Sequence, residues 1–312
     1  MAIVTAQSLT KRWGDNEVLL DTSFEIGTGV TGLLGSNGSG KTTLFGMFLG
    51  LHSPNAGTLR VLDLDPLRQG AEVRQRLGYS PEHEALPSDM TAYDFVRHVA
   101  ELHGLPRRAA AGRASDALYE VGLGEERARP CGTMSTGQKQ RVKLAQAIVH
   151  DPHLVLLDEP TNGLDPVQRD EMLDLIRRCG RELGLSVILS SHLLDEIERT
   201  CDRVVIVANK VVSDGGSLTN DTSSEEEVPL VVDLDASPTD VAAFAKKLEQ
   251  GGLRVALDPL RPTVVQVDPS VDISAVQIRA NVRDLAVEMD IPIRSLKRLL
   301  RSLEDMFFEA TA

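Results

Sequence analysis

Cysteine is scarce in this sequence, and its spacing excludes the common uses of the residue. The three cysteines, Cys131, Cys179 and Cys201, are far apart and include no C-x-x-C pair. An odd, scattered set indicates buried or idle thiols in a reducing compartment, rather than a disulfide framework or a zinc site. The histidines show no H-E-x-x-H or similar spacing, so we assign no structural metal.

Long apolar runs, an export signal and an excess of positive charge are also missing. No uninterrupted apolar stretch approaches the roughly 18 residues of a membrane-spanning helix. Residues 1–8 lack the basic flank and apolar core of a secretory signal, so we expect the chain in the cytosol, with any membrane role supplied by a partner. The net charge of −13 argues against non-specific nucleic-acid binding, because neutralisation of phosphates dominates that affinity. We expect no nucleic-acid partner; a local basic patch is the alternative that net charge leaves open.

The most informative segment present is a glycine-rich loop that ends in Lys-Thr. It matches G-x-x-x-x-G-K-[ST] and lies between an apolar run and a helix-like stretch, the context that gives the motif meaning. Its glycines let successive backbone N–H groups point inward as an anion nest, and the positive end of the following helix points to the same place. We expect Lys41 to reach the β- and γ-phosphates and the Thr42 hydroxyl to bind Mg²⁺. The predicted phosphate site comprises Gly35, Ser36, Asn37, Gly38, Ser39, Gly40, Lys41, Thr42 and Thr43.

Two carboxylates end an apolar run further along the chain. Residues 154–157 read as a buried strand, and Asp158 and Glu159 follow it. Such a strand delivers Asp158 to the carboxyl edge of a sheet, where α/β proteins bind ligands. There Asp158 suits a hold on Mg²⁺, and Glu159 can polarise a water at the γ-phosphate. Taken alone, the two residues are explained equally well as the acidic, solvent-exposed end of an ordinary strand.

A second helix start is found at residues 135–138. Ser135 as N-cap, with Gln138 three residues later, predicts a capping box. An ordinary helix start explains this pattern. The functional interpretation adds an N-terminus able to hold a γ-phosphate bound by another subunit.

The pattern of strands and helices predicts two domains, as does the length of 312 residues. Apolar strands alternate with helices up to residue 217, which implies a parallel sheet covered on both faces. Residues 84–150 are mostly helical in pattern and form a predicted helical subdomain. Residues 218–229 are polar and acidic, which indicates a linker.

The remaining residues, 230–312, follow a β-α-β-β-α-β order. The pattern predicts strands at Leu230–Leu234, Arg254–Leu257, 263–267 and 291–293. One helix begins with Ser237 as N-cap and Pro238 at the first position, and the other covers about 273–288. This order predicts a small α+β ferredoxin-like domain with a terminal helix.

The ordered motifs resemble those of ABC transporter ATP-binding subunits over residues 1 to about 217. Residues 134–138 look like the signature, and residues 158–166 look like the Walker B and D-loop block. The resemblance implies a P-loop NTPase fold, with a RecA-like core and a helical subdomain. It also implies a pair of nucleotide domains, most simply a homodimer, closed head to tail over two ATP molecules with Mg²⁺. The partner's P-loop would then face five residues of this chain. They are the signature residues Ser135, Thr136, Gly137 and Gln138 and the D-loop residue Asp165.

The same resemblance assigns individual roles. Lys41, Glu159 and His192 become the catalytic residues. His192 would act as the switch histidine that contacts the γ-phosphate, although an isolated histidine is more often an ordinary surface residue. Trp13 occupies the position of an aromatic residue that stacks on adenine; a partly buried core residue is the alternative. The predicted Mg²⁺ ligands are Thr42, Asp158 and Glu82.

Three positions depart from the family pattern. Glu82 stands where the family has the Q-loop glutamine, which places a full negative charge near the phosphates and either tightens Mg²⁺ binding or repels ATP without Mg²⁺. Thr136 replaces a commoner glycine and Met134 replaces leucine in the signature. Since Ser135 and Gly137 are kept, we expect the phosphate contact to be kept too.

Residues 302–307, Ser-Leu-Glu-Asp-Met-Phe, resemble the ending of the ABC-2 branch of exporters of drugs, antibiotics, polysaccharides and lipids. An amphipathic closing helix explains them equally well. We therefore expect an ATPase that powers an ABC-2 type exporter through a multi-spanning permease subunit, peripheral on the inner face of the cell membrane. The alternatives are a soluble ABC ATPase that remodels nucleoprotein or ribosomes, and a nucleotide-gated regulatory module.

Overall fold

The computed structural model describes residues 2–83, 86–218, 229–258, 261–268 and 275–298. These residues belong to two compact units, the first within residues 1–219 and the second within residues 220–302. No helix in these ranges is both long and apolar enough to cross a membrane. The ABC-2-like segment 302–307 and the predicted terminal helix lie outside the described residues.

The first unit combines a mixed sheet, an antiparallel sheet and a group of helices. Its strands are β1 (Ala2–Trp13), β2 (Asn16–Gly27), β3 (Val30–Leu34), β4 (Ala56–Val61), β5 (Leu77–Ser80), β6 (Leu154–Asp158), β7 (Ser186–Ser191), β8 (Arg203–Ala208) and β9 (Val211–Ser217). Its α-helices are α1 (Lys41–Phe48), α2 (Gly70–Gln75), α3 (Ala92–Leu102), α4 (Arg107–Glu120), α5 (Thr136–Ile148), α6 (Pro166–Arg181) and α7 (Leu194–Thr200). Short 3₁₀ turns follow α4 at Glu125–Ala128 and Cys131–Thr133.

The central sheet has the order β5-β6-β7-β3-β8-β9. Pairing is parallel from β5 through β8, as the sequence predicts, but β9 pairs antiparallel with β8. The exception arises because β8 and β9 are joined by a tight turn at Asn209 and Lys210, both with positive φ, and a tight hairpin joins only antiparallel strands. The carboxyl ends of β3, β6 and β7 therefore meet at one edge.

Two apolar clusters cover the two faces of this sheet. Along β6, Leu154 and Leu156 pack into the cluster shared with β1, β2 and α1, whereas Val155 and Leu157 pack into the cluster shared with α3, α4 and α5. This alternation is the two-residue period of a strand buried on both sides. The antiparallel sheet β2-β1-β4 completes the first cluster, and the helical group completes the second.

The cysteines lie in the first unit, and all three are buried and free, as the sequence predicts. Burial raises the pKa of the Cys179 thiol to about 11 and raises the pKa of the Cys201 thiol further. Neutral, buried thiols of this kind pack as small apolar side chains.

The second unit has a ferredoxin-like topology. It contains β10 (Leu230–Leu234), α8 (Pro238–Gln250), β11 (Arg254–Leu257), β12 (Val264–Asp268), α9 (Ala275–Glu288) and β13 (Ile293–Arg298). All pairs are antiparallel, in the order β11-β12-β10-β13. Ser237 caps α8 through the backbone N–H of Asp240, with Pro238 in the first turn, so the predicted helix start is confirmed.

The last strand of this unit lies two residues later than expected. The pattern predicts residues 291–293, whereas β13 begins at Ile293. The backbone N–H of Ile291 donates to the Ala286 carbonyl at 2.9 Å, which closes the end of α9, and Pro292 has no N–H to donate. Pro292 therefore takes part only as an acceptor, from the Asp235 N–H at 2.8 Å, and the paired positions of β13 with β10 begin at Ile293.

Candidate functional site

The glycine loop joins the buried central strand β3 to the helix α1. Gly40, the residue before α1, has φ 112°, and a Cβ there would lie 2.8 Å from Val18 Cγ1. A side chain is thus excluded both by backbone conformation and by space. Most residues of α1 are buried, among them Leu44, Phe45 and Met47. Strand and helix together hold the loop at the carboxyl edge of the sheet.

An open cleft of about 530 Å³ lies over this loop. Most predicted nucleotide residues line it, namely Trp13, Ser36, Asn37, Gly38, Gly40, Lys41, Thr42, Thr43, Glu82, Asp158 and Glu159. Gly35 and Ser39 do not line it but shape the loop: the Gly35 carbonyl accepts from Lys41 Nζ at 2.7 Å, and the Ser39 N–H donates to the Ser36 carbonyl at 3.1 Å. Asn16, Val18 and His83 also line the cleft; no sequence motif includes them.

Lys41 places its ammonium at the floor of the cleft. Besides the Gly35 carbonyl, Nζ contacts the Ser36 carbonyl at 3.3 Å and Glu159 Oε1 at 3.3 Å. The side chain is buried, so its charge acts in a medium of low polarity. This arrangement holds a cation next to the place where a phosphate bound by the loop would lie.

Asp158 and Thr42 form the pair expected to hold Mg²⁺. Thr42 Oγ1 donates to Asp158 Oδ2 at 3.1 Å, and Ser190 Oγ donates to Asp158 Oδ1 at 2.6 Å. Burial raises the pKa of Asp158, the Ser190 and Thr42 hydroxyls oppose this, and the carboxylates of Glu82 and Glu159 add to it. A buried carboxylate beside like charges is a donor set that fits a divalent cation.

The remaining ligands of such an ion would have to be phosphate and water oxygens. In the ranges that the structure describes, no three His, Cys, Asp or Glu side chains come together as a metal site. Mg²⁺ fits this arrangement, because it keeps several waters and is commonly held by one or two side chains together with substrate phosphates.

Glu159 lies between the lysine and the histidine. Its Oε2 is 2.9 Å from His192 Nδ1, and its Oε1 faces Lys41 and has no hydrogen bond. The residue has φ 46°, in the left-handed region, and its N–H donates to Ser190 Oγ at 2.9 Å. The backbone thus turns Glu159 away from the line of β6, towards the cleft. His192, which follows β7, is part-exposed but held by this contact.

Glu82 occupies the rim of the same cleft. Asn162 Nδ2 donates to Glu82 Oε1 at 3.4 Å, and the buried Lys143 donates to the Glu82 carbonyl at 3.0 Å. Glu82 and Asp158 line the same cleft, and the negative charge of Glu82 contributes to the raised pKa of Asp158. A carboxylate in this place adds to the attraction of the cleft for a cation.

The signature residues lie apart from this cleft. Ser135 and Gln138 form the predicted capping box at the start of α5, and Ser135, Gly137 and Gln138 line a second cleft of about 270 Å³. Thr136 is the first residue of the helix. Asp165 caps α6 by accepting from the Gln168 N–H at 2.9 Å. Within one chain, the structure does not bring these residues to the P-loop.

Trp13 lies at the end of β1 and is 47% exposed. One face of its ring is covered by Lys11, whose Nζ is 4.0 Å from the ring centroid. Its ring also meets that of His52 edge to face, with 4.9 Å between centroids. Trp13 lines the same cleft as the phosphate loop, so it is a surface residue of the cleft and not a core residue.

A buried acidic residue that the sequence does not single out connects these segments. Glu196 on α7 accepts from Ser191 Oγ at 2.6 Å and from Thr161 Oγ1 at 3.0 Å, and Arg169 Nε lies 3.4 Å from its other oxygen. It links the end of β7, the turn after Asp158-Glu159 and α6. Glutamate on a polar helix is ordinarily exposed, so no local pattern could identify it.

Comparison with known proteins agrees with this geometry. The sequence model of the family described as "ABC transporter" matches residues 19–162. The ABC transporter ATP-binding protein NatA of Bacillus subtilis is 33% identical over 73% of this chain and 95% of its own length. The linearmycin resistance ATP-binding protein LnrL of the same organism is 29% identical over 99% of this chain and 98% of its own.

A solved structure shows the same fold. CbiO1 from Clostridium perfringens, described as part of the ABC transporter complex cbiONQ, has a TM-score of 0.65 at 26% identity, over 80% of this chain and 98% of that one. Together with the cleft and its motifs, these matches settle the family. The chain belongs to the ABC transporter ATP-binding subunits and is an ATPase that serves ATP-powered transport.

Proposed function

We propose that this ATPase powers an ABC-2 type exporter, acting with Mg²⁺, as a homodimer, through a separate multi-spanning membrane subunit. The observation that carries the exporter assignment is the alignment with the linearmycin resistance protein over 99% of the chain. That alignment includes the second unit as well as the nucleotide-binding unit. The name of that relative associates it with resistance to linearmycin, and export of the compound is one way to resist it.

The contacts at the cleft support specific roles in hydrolysis. Glu159, held between Lys41 and His192, is placed to orient a water for in-line attack on the γ-phosphorus. Lys41 would stabilise the charge that develops on the γ-phosphate, and His192 would hold Glu159 and contact the same phosphate. Bound Mg²⁺ would neutralise phosphate charge, held by Thr42 and Asp158 with Glu82 at the rim.

The separation of the signature from the P-loop supports a pair of chains. Ser135 and Gly137 line a cleft of their own, at a helix N-terminus that favours an anion. Since the P-loop of the same chain is a different cleft, a γ-phosphate held there would come from a second chain. In Glu159→Gln, which we expect to keep ATP bound, sedimentation should show a dimer with MgATP and a monomer without it. Adding Ser135→Arg should abolish this dimer, and a dimer that persists would contradict the contact.

The domain plan and the location follow the same proposal. Residues 1–217 would form the nucleotide-binding domain with its helical subdomain at about 84–150, residues 218–229 the linker, and residues 230–312 the accessory domain. The region around Glu82 and the helices after it would transmit closure to the membrane subunit. The chain would then sit peripherally on the inner face of the cell membrane.

The experiment that tests the transporter assignment is affinity purification of the tagged full chain from gently solubilised native membranes, with partners identified by mass. We expect a stoichiometric multi-spanning partner. Recovery with ribosomal or nucleoprotein partners from the soluble fraction would contradict the proposal and favour the remodelling ATPase. Binding of ATP without measurable phosphate release would favour the regulatory module.

A further inference from the structure

Lys11 is a buried cation that has no role in the proposed hydrolysis. Its side chain is only 6% exposed, and its Nζ donates to the Ser53 carbonyl at 2.8 Å. The neighbouring cations Arg12 and Lys210 both pair with Glu17. None of the ion pairs among the described residues includes Lys11. Because a buried charge is costly unless compensated, its position needs another explanation.

The compensation comes from an aromatic ring at the cleft. Lys11 and Trp13 are two residues apart at the end of β1, where the pairing with β2 shifts its register between Lys11 and Arg12. The ammonium lies over the indole ring, 4.0 Å from its centroid, well within the distance of a favourable cation–π contact. His52 fixes the ring from a further direction at an interplanar angle of 86°. The ring is thereby held in one orientation although nearly half of it is exposed.

We propose that Lys11 is a positioning residue for the nucleobase: it fixes and polarises the Trp13 ring from one face, so that adenine stacks on the other. The inference rests on the contact of Trp13 with adenine that the sequence resemblance implies, and it adds a residue that would strengthen this contact. The faces of an indole ring are electron-rich and repel the electron-rich face of a base. A cation over the first face draws electron density towards itself and lowers that repulsion at the second.

Order contributes as well as charge. A half-exposed tryptophan side chain that moves freely loses conformational freedom when a ligand binds, and that loss reduces affinity. Lys11 and His52 restrict the ring before the nucleotide arrives. The effect concerns the base alone, since the triphosphate would be held by the phosphate loop and Lys41, which line the same cleft as Trp13.

The test compares a ligand that has a base with one that does not. In Lys11→Gln, which keeps a donor for the Ser53 carbonyl and removes the charge, we expect Kd for ATP to rise about three- to tenfold. Kd for inorganic tripolyphosphate should be unchanged in the same calorimetric titrations. Trp13 is the single tryptophan of the chain, so its emission maximum should shift when the ammonium is removed. Lys11→Met is the second variant if Lys11→Gln does not fold.

Three controls separate the explanations. Arg12→Gln removes a neighbouring charge that is exposed and pairs with Glu17, and it should leave Kd for ATP unchanged. Lys11→Arg, which keeps a cation over the ring, should restore ATP affinity. In a Trp13→Ala background, Lys11→Gln should have no further effect on Kd for ATP.

Equal losses of ATP and tripolyphosphate affinity in Lys11→Gln would overturn the inference in favour of general structural damage. Unchanged ATP affinity in Lys11→Gln, together with a clear loss in Trp13→Ala, would overturn the inference and leave the adenine contact standing. Unchanged ATP affinity in Trp13→Ala itself would show that Trp13 does not contact adenine, and the role proposed for Lys11 would be overturned with it.

Discussion

The two units of the chain differ in what they bury. In the part of the chain that the structure describes, every buried polar or charged residue belongs to the first unit, among them Lys41, Asp158, Glu159 and Glu196. The core of the second unit consists of aliphatic side chains and Phe244. Buried charges cost free energy unless they are paired and hydrogen-bonded, so the first unit has to supply its buried charges with opposite charges, hydroxyl groups, backbone carbonyls or an aromatic ring.

This difference separates chemistry from packing. In the first unit, Asp158, Glu159 and Glu196 each take contacts from two or three neighbours, and removal of any one takes a hydrogen bond or an opposite charge from those neighbours. The second unit has no such group in its described core, so its contribution has to come from its stability and its surface. Substitutions that change a charge should therefore affect reaction rates in the first unit, whereas substitutions that change volume should affect stability in the second.

The largest effect is expected for Glu159→Gln. The substitution keeps the shape of the side chain but removes the charge that orients water, so kcat should fall by about 10²- to 10⁴-fold. Binding of ATP should persist, because the phosphate loop and Lys41 are unchanged. Phosphate release and equilibrium binding of labelled ATP measure the two effects.

The matched control for this variant lies in the other unit. Glu249→Gln makes the same change at an exposed position of α8 and should leave kcat unaltered. Hydrolysis at the wild-type rate by Glu159→Gln would contradict the role assigned to Glu159 and remove the sharpest contrast between the units.

Phe244→Ala probes the second unit by volume. Phe244 is fully buried in the core of that unit, and its truncation should lower the free energy of unfolding by about 3–4 kcal/mol. Hydrogen exchange of the amides in β10 and β12 reads this loss directly. We expect Trp13 fluorescence and ATP hydrolysis to be unaffected, since both report on the first unit. A parallel loss of activity would show that the first unit depends on the packing of the second.

Much of this fold was readable from local patterns. The capping residues Ser135 and Ser237 and the apolar runs of the parallel strands predicted where elements begin, because side chain and backbone act there within a few residues. The β8–β9 hairpin was missed since its turn, Asn209-Lys210, lacks the glycine that usually indicates a tight hairpin. The start of β13 depended on which carbonyl the Ile291 N–H reaches, which is set by the end of α9.

The site divides in a similar way. The residues within contiguous motifs, such as Lys41 and Asp158, could be named from sequence, and the structure brings them to one cleft; their roles stay predictions. Glu196 and Lys11 could not be named, and Ser190, which directly precedes the Ser191-His192 pair, could not be given its contact with Asp158. They act through partners that folding brings near, and their residue types are too common on protein surfaces to stand out.

A third prediction concerns a pair of histidines that follow the C-terminal ends of α3 and α5. The rings of His103 and His150 stack with 3.6 Å between centroids. Burial, together with the charge of the other histidine, lowers the pKa of His150 to about 4 from 6.5, and burial lowers the pKa of His103. The folded state thus favours the neutral rings, and stability should fall as pH decreases from about 6.5 to about 4, while the unfolded chain takes up the protons.

The expected loss for His150 is about 2 kcal/mol, after allowance for its partial exposure. Urea unfolding at a series of pH values measures it. His150→Gln should flatten the dependence on pH, and its amide can still donate to the Leu77 carbonyl that His150 contacts. His98→Gln changes an unstacked histidine on α3 and should keep the slope. A slope that survives in His150→Gln would assign it to other groups.

The smallest effect is expected for Asp158→Asn, and it is a gain in stability, whereas the other predictions are losses of activity or stability. Burial and the carboxylates of Glu82 and Glu159 raise the pKa of Asp158, so the folded state is more stable when this carboxyl is protonated and loses stability as pH rises through the folded pKa. An amide of the same shape removes the repulsion and can still bond Ser190 and Thr42. Without nucleotide, we expect Tm to rise by about 2–4 °C at neutral pH, while MgATP should stabilise the variant less than the wild type. Thermal unfolding with and without MgATP measures both shifts. A fall in Tm would mean that the charge of Asp158 stabilises the protein without nucleotide. The buried charges of the first unit would then contribute to its stability, and the contrast with the second unit would not show that they are kept for the reaction at a cost in stability.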